Sequence, residues 1–219
     1  MRDRRNLVPS KGERGLLVGK TGSGKSTTAR VLASQFTLSW PGIVLDTKPT
    51  AVWRGWGLIG RTPDEALELL DAGYRRVVYR PAYEDKTPEA LDYFLHLCFE
   101  WAKDNGPLLV ILDEVTHVSA GAYPTRGVSE CLGEGREYGL TMLNCTQRPA
   151  FINGKFYTET ERFYVHRLRA PKDRQRINEH LGYDLPMAER YRFWYYDESR
   201  EEAPLDWHFE IRGWAPQAA

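Results

Sequence analysis

The sequence has few cysteines and no hydrophobic segment long enough to cross a membrane. Its longest apolar run, Pro107–Leu112, is far shorter than the ~20 residues that a membrane-spanning helix needs. Residues 1–15 are charged and lack the apolar core of a signal peptide. The three cysteines are odd in number and lie in apolar or helical contexts, which predicts reduced thiols and no disulfide framework. These absences favour a protein of the cytosol.

An excess of charge of either sign is also lacking. The 219 residues include 30 Lys and Arg and 30 Asp and Glu, which gives a formal net charge of zero. This balance argues against a surface coated uniformly for nucleic acid. Basic residues nevertheless cluster at 2–5, 75–80 and 166–176, and acidic residues cluster at 197–202. Such a run is either a solvated face or a nucleic-acid contact, and composition does not decide between them.

The sequence does contain a glycine-rich segment with the spacing G-x-x-x-x-G-K-S at residues 19–26. A short buried strand is expected before it at Leu16–Val18, and a helix after it at Ser26–Phe36. The glycines let successive backbone N–H groups curl around phosphates, and the helix N-terminus adds its positive dipole. A glycine-rich turn without a ligand would not need this strand, Lys-Ser pair and helix together. The segment therefore predicts a nucleoside-triphosphate site.

The roles within this segment follow from phosphate chemistry. Lys25 would reach the β- and γ-phosphates, and the Ser26 hydroxyl would coordinate Mg²⁺. The expected cofactors are therefore ATP and Mg²⁺. The residues expected to bind the nucleotide are Gly19, Lys20, Thr21, Gly22, Ser23, Gly24, Lys25, Ser26 and Thr27.

A second segment ends in two acids. The apolar strand Leu108–Leu112 delivers Asp113 and Glu114 to its carboxyl end, the edge where ligands bind in parallel α/β sheets. Asp113 would hold the Mg²⁺ through its water shell, as a Walker B aspartate does. Glu114 is placed to act as general base on the water that attacks the γ-phosphate. Because a kinase has no need to activate water, this pair favours hydrolysis over phosphoryl transfer.

A third segment ends an apolar strand with an amide and a guanidinium. The strand Leu140–Cys145 runs into Gln147 and Arg148, where a simple turn would usually carry Gly, Asn, Asp or Ser. We expect this strand beside the one that leads to Asp113, so that Gln147 reaches the same edge. There Gln147 could bind the γ-phosphate or the attacking water and sense which nucleotide is bound. A plain turn residue is the alternative.

Strands and helices alternate along the rest of the chain, which predicts a parallel sheet with helices on both faces. Two helices are expected to begin at Thr-Pro pairs, with Thr62 and Thr87 as the N-caps. Further strands are expected at 42–48, 75–81 and 162–169, a helix at 171–181, and a terminal β-hairpin within 192–212. We expect residues 1–219 to form one domain, with residues 1–13 as a flexible or subunit-contact arm.

Four segments together resemble the FtsK–HerA superfamily of DNA-pumping ATPases: GKTGSGKST, VILDEV, GREYGLTMLNCTQRP and HRLRAPKDRQRINEHLG. In this order they cover Gly15 to Gly182. The P-loop alone is shared by many families, whereas the strand that ends in TQRP after a Gly-Arg step is more specific. The resemblance implies an α/β fold of the RecA-like (ASCE) P-loop NTPase class. Its central sheet would be mostly parallel and flanked by helices, with the C-terminal β-hairpin added.

Within that superfamily, a chain of this length is similar to the genome-packaging ATPases of membrane-containing icosahedral viruses with double jelly-roll capsids. The resemblance implies an ATP-hydrolysing ring, with a hexamer as the expected form, that feeds double-stranded DNA into a preformed capsid. Its partners would be DNA and capsid vertex or portal proteins, in the host cytoplasm or at the virion vertex. The alternatives are a cellular or conjugative DNA pump, a nucleotide or small-molecule kinase, and a phage extrusion ATPase.

The same resemblance implies a role for Arg136. In the family, an arginine at this place reaches across the subunit interface to the neighbour's nucleotide. A cation there would stabilise the charge that spreads over the γ-phosphate oxygens during phosphoryl transfer. Arg126 and Arg148 are the alternative candidates. A local ion pair with Glu134 or Glu137 would instead make Arg136 a structural residue.

A packaging motor must ignore DNA sequence, so its contacts would be mainly with phosphates. The loop at 116–127 is one candidate for this contact. The other candidates are the residues of a basic run, His166, Arg167, Arg169, Lys172, Arg174 and Arg176. The rival role for this basic run is subunit contact with the acids at 197–202.

Overall fold

The computed structural model describes residues 7–48, 51–118, 124–200 and 202–208. Within these ranges the chain forms strands and helices in alternation over most of its length. The strands are β1 (Arg14–Val18), β2 (Gly42–Leu45), β3 (Leu58–Gly60), β4 (Arg76–Tyr79), β5 (Leu108–Leu112), β6 (Leu140–Thr146), β7 (Arg162–His166), β8 (Phe193–Asp197) and β9 (Leu205–Trp207).

In the described part of the chain these strands form one 9-stranded sheet, in the order β3-β4-β2-β5-β6-β1-β7-β8-β9. The strands from β3 across to β7 pair in parallel. β8 and β9 pair antiparallel, as the predicted C-terminal hairpin requires. The fold is therefore α/β with a mostly parallel central sheet, as predicted.

The helices flank this sheet, and those at 63–71, 88–105 and 171–181 begin where the sequence predicts. The Thr62 and Thr87 side chains each accept a hydrogen bond from a backbone N–H three residues on, at 3.2 Å. None of the helices in the described ranges is long and apolar enough to span a bilayer. The helices are α1 (Lys25–Phe36), α2 (Pro63–Asp71), α3 (Pro88–Asn105), α4 (Arg126–Ser129), α5 (Lys155–Thr158) and α6 (Pro171–Leu181).

The sheet has an apolar core on each face. Every residue of β1, β5 and β6 is buried, which is typical of parallel strands covered on both sides. Leu17 points to the face that α1 covers with Leu32. Leu16 and Val18 point to the opposite face, which α2, α3 and α6 cover. This alternation along β1 places the loop that follows it at the rim between the two layers.

The register of the central strands brings the three sequence motifs to one edge. β6 lies between β1 and β5, with Val18 opposite Thr146 and Leu112 opposite Asn144. All three strands run in the same direction, so the residues that follow them meet at the carboxyl edge. This confirms the prediction that Gln147 follows a strand beside the one that leads to Asp113.

Some strand ends differ from the predictions. β2 ends at Leu45, before the predicted Lys48, although Asp46 N still donates a hydrogen bond to the Tyr79 carbonyl at 2.9 Å. The Asp46 carboxylate accepts hydrogen bonds from Arg80 Nε at 2.9 Å and Nη2 at 2.6 Å. β7 likewise ends at His166, after which the Arg167 carbonyl accepts a hydrogen bond from Lys20 N. The short edge strand β3 was not predicted.

Residues 7–13 pack against the sheet, so this part of the predicted arm is not flexible. Leu7 is 2% exposed, and its carbonyl accepts a hydrogen bond from the Tyr164 hydroxyl. Gly12 N donates to Thr141 Oγ1 at 2.8 Å. Residues 1–6 lie outside the described residues, and a role for the segment in subunit contact stays a prediction.

Candidate active site

The P-loop lies between β1 and α1 at the carboxyl edge of the sheet. Gly19 N donates a hydrogen bond to the Thr146 carbonyl at 3.1 Å, which ties the start of the loop to β6. Gly22 and Gly24 have φ angles of 74° and 98°, a left-handed conformation that other residues rarely adopt. α1 then begins at Lys25, so its N-terminus faces the loop. Residues 19–27 therefore lie together as the sequence predicts.

Two side chains of this loop are buried although they are polar. Lys25 is 6% exposed, and no ion pair joins it to a carboxylate in the described part of the chain. The Ser23 hydroxyl is buried and has no hydrogen-bond partner among the same residues. Burying an ammonium without an anion is costly. A bound phosphate group would supply that anion.

The two acids after β5 are also buried. Asp113 is 4% exposed and Glu114 is 5% exposed. One oxygen of each carboxylate, Asp113 Oδ1 and Glu114 Oε1, lacks a hydrogen-bond partner within the described ranges. A buried carboxylate oxygen without a donor costs free energy, which a cation or a bound water would recover.

These residues fit a Mg²⁺ ion that is bound together with a nucleotide. Mg²⁺ usually keeps several waters and takes one or two protein ligands plus phosphate oxygens. Ser26 in the first turn of α1 and the partnerless Asp113 Oδ1 provide such a set. No group of three or more His, Cys, Asp or Glu side chains in the described residues could hold a metal by itself. The predicted ligands, Ser26 and Asp113, are therefore consistent with the structure, although no observation tests their role.

Glu114 makes an ion pair that the sequence analysis did not predict. Lys48 Nζ donates to Glu114 Oε2 at 3.0 Å. Burial raises the pKa of Glu114, but the hydrogen bond and charge of Lys48 and the charge of Lys25 outweigh burial and leave this pKa below its usual value. The carboxylate is therefore ionised at neutral pH, which is the state that a general base requires.

Gln147 lies at the predicted edge and contacts the P-loop. Thr21 Oγ1 donates a hydrogen bond to Gln147 Oε1 at 2.6 Å. The amide oxygen is thus occupied by the loop, and the amide nitrogen remains the group that could donate to a phosphate oxygen. The contact supports placing Gln147 in the site, while its role as a nucleotide sensor stays a prediction.

His166 supports the P-loop from β7 and was assigned wrongly from sequence. It is 1% exposed, and its Nδ1 lies 3.3 Å from the Ser23 carbonyl oxygen. Burial and then the charge of Lys25 lower the pKa of His166 to about 3. A Cβ atom at Gly19 would lie 2.6 Å from His166 Cβ, so this contact requires glycine at position 19. His166 is therefore a neutral packing residue and not part of a basic surface.

The predicted DNA-contact arginines lie beside the P-loop. Lys20 N donates to the Arg167 carbonyl at 3.0 Å. The charge of Arg169, followed by burial and by the charges of Arg167 and Arg190, lowers the pKa of Lys20. Arg167 and Arg169 are therefore cations near the P-loop. Lys172 and Arg174 follow in the first turn of α6, and a role in DNA contact stays a prediction for all four residues.

One of the acids at 197–202, Asp197, is not available for the predicted contact, whereas Glu198 and Glu202 are exposed and their role stays a prediction. Asp197 is 5% exposed, and its carboxylate is used inside the chain by Arg162, Arg200 and Ser199. Burial raises the pKa of Asp197, but these partners outweigh burial and leave the pKa lowered. Asp197 is thus unavailable for contact with the basic run of another subunit. Residue 201 lies outside the described residues.

Arg136 lies far from the P-loop of its own chain. It precedes β6 and so lies at the amino ends of the parallel strands, whereas Gln147 lies at their carboxyl ends. Since β6 has 7 residues, its two ends are separated by about 20 Å. The Arg136 side chain is 59% exposed and pairs with Glu161, not with Glu134 or Glu137. Within one chain Arg136 cannot reach the nucleotide, so its predicted role could be played only between subunits.

The two alternative arginines are also held by local acids. Arg126 Nε pairs with Glu130 Oε1 at 2.8 Å. Arg148 Nε pairs with Asp173 Oδ2 at 3.1 Å. Of these candidates, Arg148 is the one beside Gln147 at the nucleotide edge, because it follows β6 directly. No observation decides which of them acts on a neighbour's nucleotide.

The loop, the buried lysine and the two acids on a mostly parallel sheet define a P-loop NTPase fold. Solved structures share it. B204, the DNA-packaging ATPase from Sulfolobus turreted icosahedral virus, matches with a TM-score of 0.76 and 17% identity, covering 93% of this chain and 100% of that chain. The genome-packaging NTPase B204 from Sulfolobus turreted icosahedral virus 2, in complex with ATP-gammaS, matches with a TM-score of 0.74 and 17% identity. This match covers 89% of this chain and 95% of that chain.

A third solved structure is similar at a lower level. VirB4 of Thermoanaerobacter pseudethanolicus matches with a TM-score of 0.61 and 9% identity, covering 93% of this chain and 90% of that chain. No protein-family model matches the sequence, and a search of curated proteins gives no match. At these identities the likeness shows the fold. It agrees with the resemblance to genome-packaging ATPases that the sequence motifs indicate.

Proposed function

We propose that this protein binds ATP with Mg²⁺ and hydrolyses it. The observation that carries the proposal is the meeting of three separate motifs at one sheet edge. The P-loop follows β1, Asp113 and Glu114 follow β5, and Gln147 follows β6 between them. The partnerless oxygens of both acids and the buried ammonium of Lys25 lie in this region. Such groups are expected where a phosphate and a cation bind.

Each residue has a chemical task in this reaction. The P-loop N–H groups and Lys25 would hold the phosphates. Ser26 and Asp113 would hold Mg²⁺, which neutralises charge on the phosphate oxygens when bound. Glu114 would take a proton from the attacking water. Gln147 would donate its amide N–H to the γ-phosphate while Thr21 holds its oxygen.

We further propose that this hydrolysis drives double-stranded DNA into a viral capsid. The fold likeness to B204, which is a DNA-packaging ATPase, supports this, with nearly complete coverage of both chains. The protein would act as a homo-oligomeric ring, with six subunits as the expected number. Its partners would be DNA and the vertex or portal proteins of the capsid. It would work in the infected cell's cytoplasm or at the virion vertex.

A cellular or conjugative DNA pump is the second candidate, because the sequence motifs resemble the FtsK–HerA superfamily of DNA-pumping ATPases as a whole. Glu114 argues against a nucleotide kinase, since transfer to a substrate hydroxyl needs no base for water. A pump and a packaging motor would share the same ATPase chemistry. Binding to capsid proteins of a virus would separate them.

The experiment that tests the function is ATP turnover with and without duplex DNA, on protein sized by light scattering. We expect phosphate release with water as the acceptor and a higher rate when DNA is added. Because phosphate contacts depend on counterion release, the DNA-stimulated part should fall steeply with salt and be the same for unrelated sequences. ATP turnover that DNA does not change, in a protein that forms rings, would contradict the translocase proposal and leave the ATPase intact.

A further inference from the structure

The loops after β2 and β5 are joined by two polar contacts beside the nucleotide site. Lys48 Nζ lies 3.0 Å from Glu114 Oε2. One residue earlier, Thr47 Oγ1 lies 2.5 Å from His117 Nδ1. Since β2 and β5 are neighbours in the sheet, these contacts place the β2 loop directly against the proposed general base.

The two partners of the ion pair are buried to very different extents. The Glu114 side chain is 4% exposed, whereas the Lys48 side chain is 39% exposed. The carboxylate is therefore fixed by packing, while the ammonium can reach solvent by moving its own side chain. Opening the pair leaves a buried carboxylate, which an attacking water or a cation would then have to satisfy. Glu114 Oε1 has no hydrogen-bond partner in the described chain, and Lys48 donates to the other oxygen, Oε2.

This geometry opposes the step that Glu114 would perform. In that step Glu114 takes one proton from water, the water oxygen bonds to the γ-phosphorus, and the bond from phosphorus to the ADP oxygen breaks. The Lys48 ammonium occupies Glu114 Oε2 and so fixes the direction in which the carboxylate faces. While the pair is closed, the carboxylate cannot turn freely to place an oxygen on the attacking water.

We propose that Lys48 is a positioning residue that restrains Glu114, and that the pair must open for fast ATP hydrolysis. This inference rests on the proposed ATPase function. While the Lys48–Glu114 pair is closed, hydrolysis is slow. The Thr47–His117 contact helps to hold the loop that carries Lys48 in place. Lys48 touches neither the phosphates nor the metal in this account, because it acts through Glu114.

The test is basal ATP turnover, without DNA, for Lys48→Met, Lys48→Arg and a matched control. The control is Lys103→Met, which removes the Lys103–Glu100 pair at 3.1 Å on α3. We expect Lys48→Met to raise kcat several-fold while KM and ATP affinity stay unchanged. Lys48→Arg keeps the charge and should resemble the wild type, as should Lys103→Met. A basal kcat for Lys48→Met that is equal to or below that of the wild type would overturn the proposal.

A second variant covers the case in which Lys48→Met folds poorly. Thr47→Val removes the hydroxyl that contacts His117 and should loosen the same loop, so a smaller rise in basal kcat is expected. No rise in either folded variant counts against the restraint. A wild-type protein that does not hydrolyse ATP at all would instead remove the proposed function. Wild-type turnover that Glu114→Gln abolishes and Lys48→Met does not increase would remove only this inference.

Discussion

The candidate site contains buried polar groups that lack a partner in the described part of the chain, namely the Lys25 ammonium and one carboxylate oxygen each of Asp113 and Glu114. Lys25, Asp113 and Glu114 are each at most 6% exposed. Ordinary surface lysines and acids gain nothing from such burial, and each buried group without a partner lowers stability. A nucleotide and its cation would satisfy all three at once. These unsatisfied groups are the ones that a nucleotide and its cation would bind, while the other oxygen of Glu114 is paired with Lys48.

The first prediction concerns Lys25. Lys25→Ala should lose ATP binding, because no other buried cation follows the loop into α1 to take its place on the β- and γ-phosphates. Isothermal titration with ATP and Mg²⁺ measures this directly. Lys103→Ala, at an exposed site on α3, is the control and should bind ATP like the wild type. Undiminished affinity in Lys25→Ala would show that the phosphates bind elsewhere.

At the scale of helices and strands, the sequence predicts an element well where its signal lies within a single turn of the chain. The Thr-Pro starts of α2 and α3 were predicted because cap and proline effects are local, and both side-chain caps are present. The strand β3 was missed because its three residues show no alternation and two of them, Leu58 and Ile59, are 44% exposed. The π-helical turn at Glu130–Glu134 was also missed, since no residue pattern distinguishes it from a helix end.

Contacts between distant elements could not be predicted in the same way. The carboxyl-edge motifs could be placed together because parallel strands share one direction. The Lys48–Glu114 pair, the His166–Ser23 contact and the packing of Leu7 depend on which strands are neighbours and on exact side-chain reach. The alternation of elements predicts a parallel sheet, but it does not predict these pairs.

The second prediction concerns β7 as a support for the P-loop. The pKa of His166 is lowered to about 3 in the folded protein, below the ordinary value of 6.5. The unfolded chain therefore takes up this proton first as pH falls, and stability is lost from about pH 6.5 down towards pH 3. Within this window, each unit by which the pH falls lowers the free energy of unfolding by about 1.4 kcal/mol for one such group.

Urea unfolding at pH 7 and at pH 5 measures this effect. His166→Gln has no such proton to take up, so its free energy of unfolding should change less between the two pH values than that of the wild type. Carboxylates and the other histidines titrate in both proteins, and the comparison removes their contribution. Equal pH dependence in the two proteins would show that His166 is not buried as a neutral group.

At the scale of the whole molecule, different residues lie at the carboxyl ends of the parallel strands, called here the carboxyl edge, and at their amino ends, the amino edge. The carboxyl edge holds the P-loop, the acids, Gln147 and the cations near Lys20. The amino edge holds Arg136 with Glu161. A head-to-tail ring could bring the amino edge of one subunit to the nucleotide of the next, which is how the predicted role of Arg136 would be fulfilled.

The third prediction tests that arrangement by mixing subunits. Arg136→Ala subunits keep Lys25, and Lys25→Ala subunits keep Arg136, so rings that contain both have interfaces with one intact site and one intact arginine. We expect ATPase activity to return on mixing, above the sum of the separate proteins. Arg126→Ala and Arg148→Ala in place of Arg136→Ala test the alternatives. No recovery in rings shown to contain both subunits would count against Arg136 as a residue acting in trans.

The central claim is that this site hydrolyses ATP with Glu114 as the base, and the most direct measurement compares ATP binding with turnover in Glu114→Gln. Glutamine matches the shape of glutamate and cannot accept the proton from water. The account predicts that Glu114→Gln binds ATP with Mg²⁺ as tightly as the wild type while steady-state phosphate release falls to the background. Phosphate release at the wild-type rate by Glu114→Gln would contradict it.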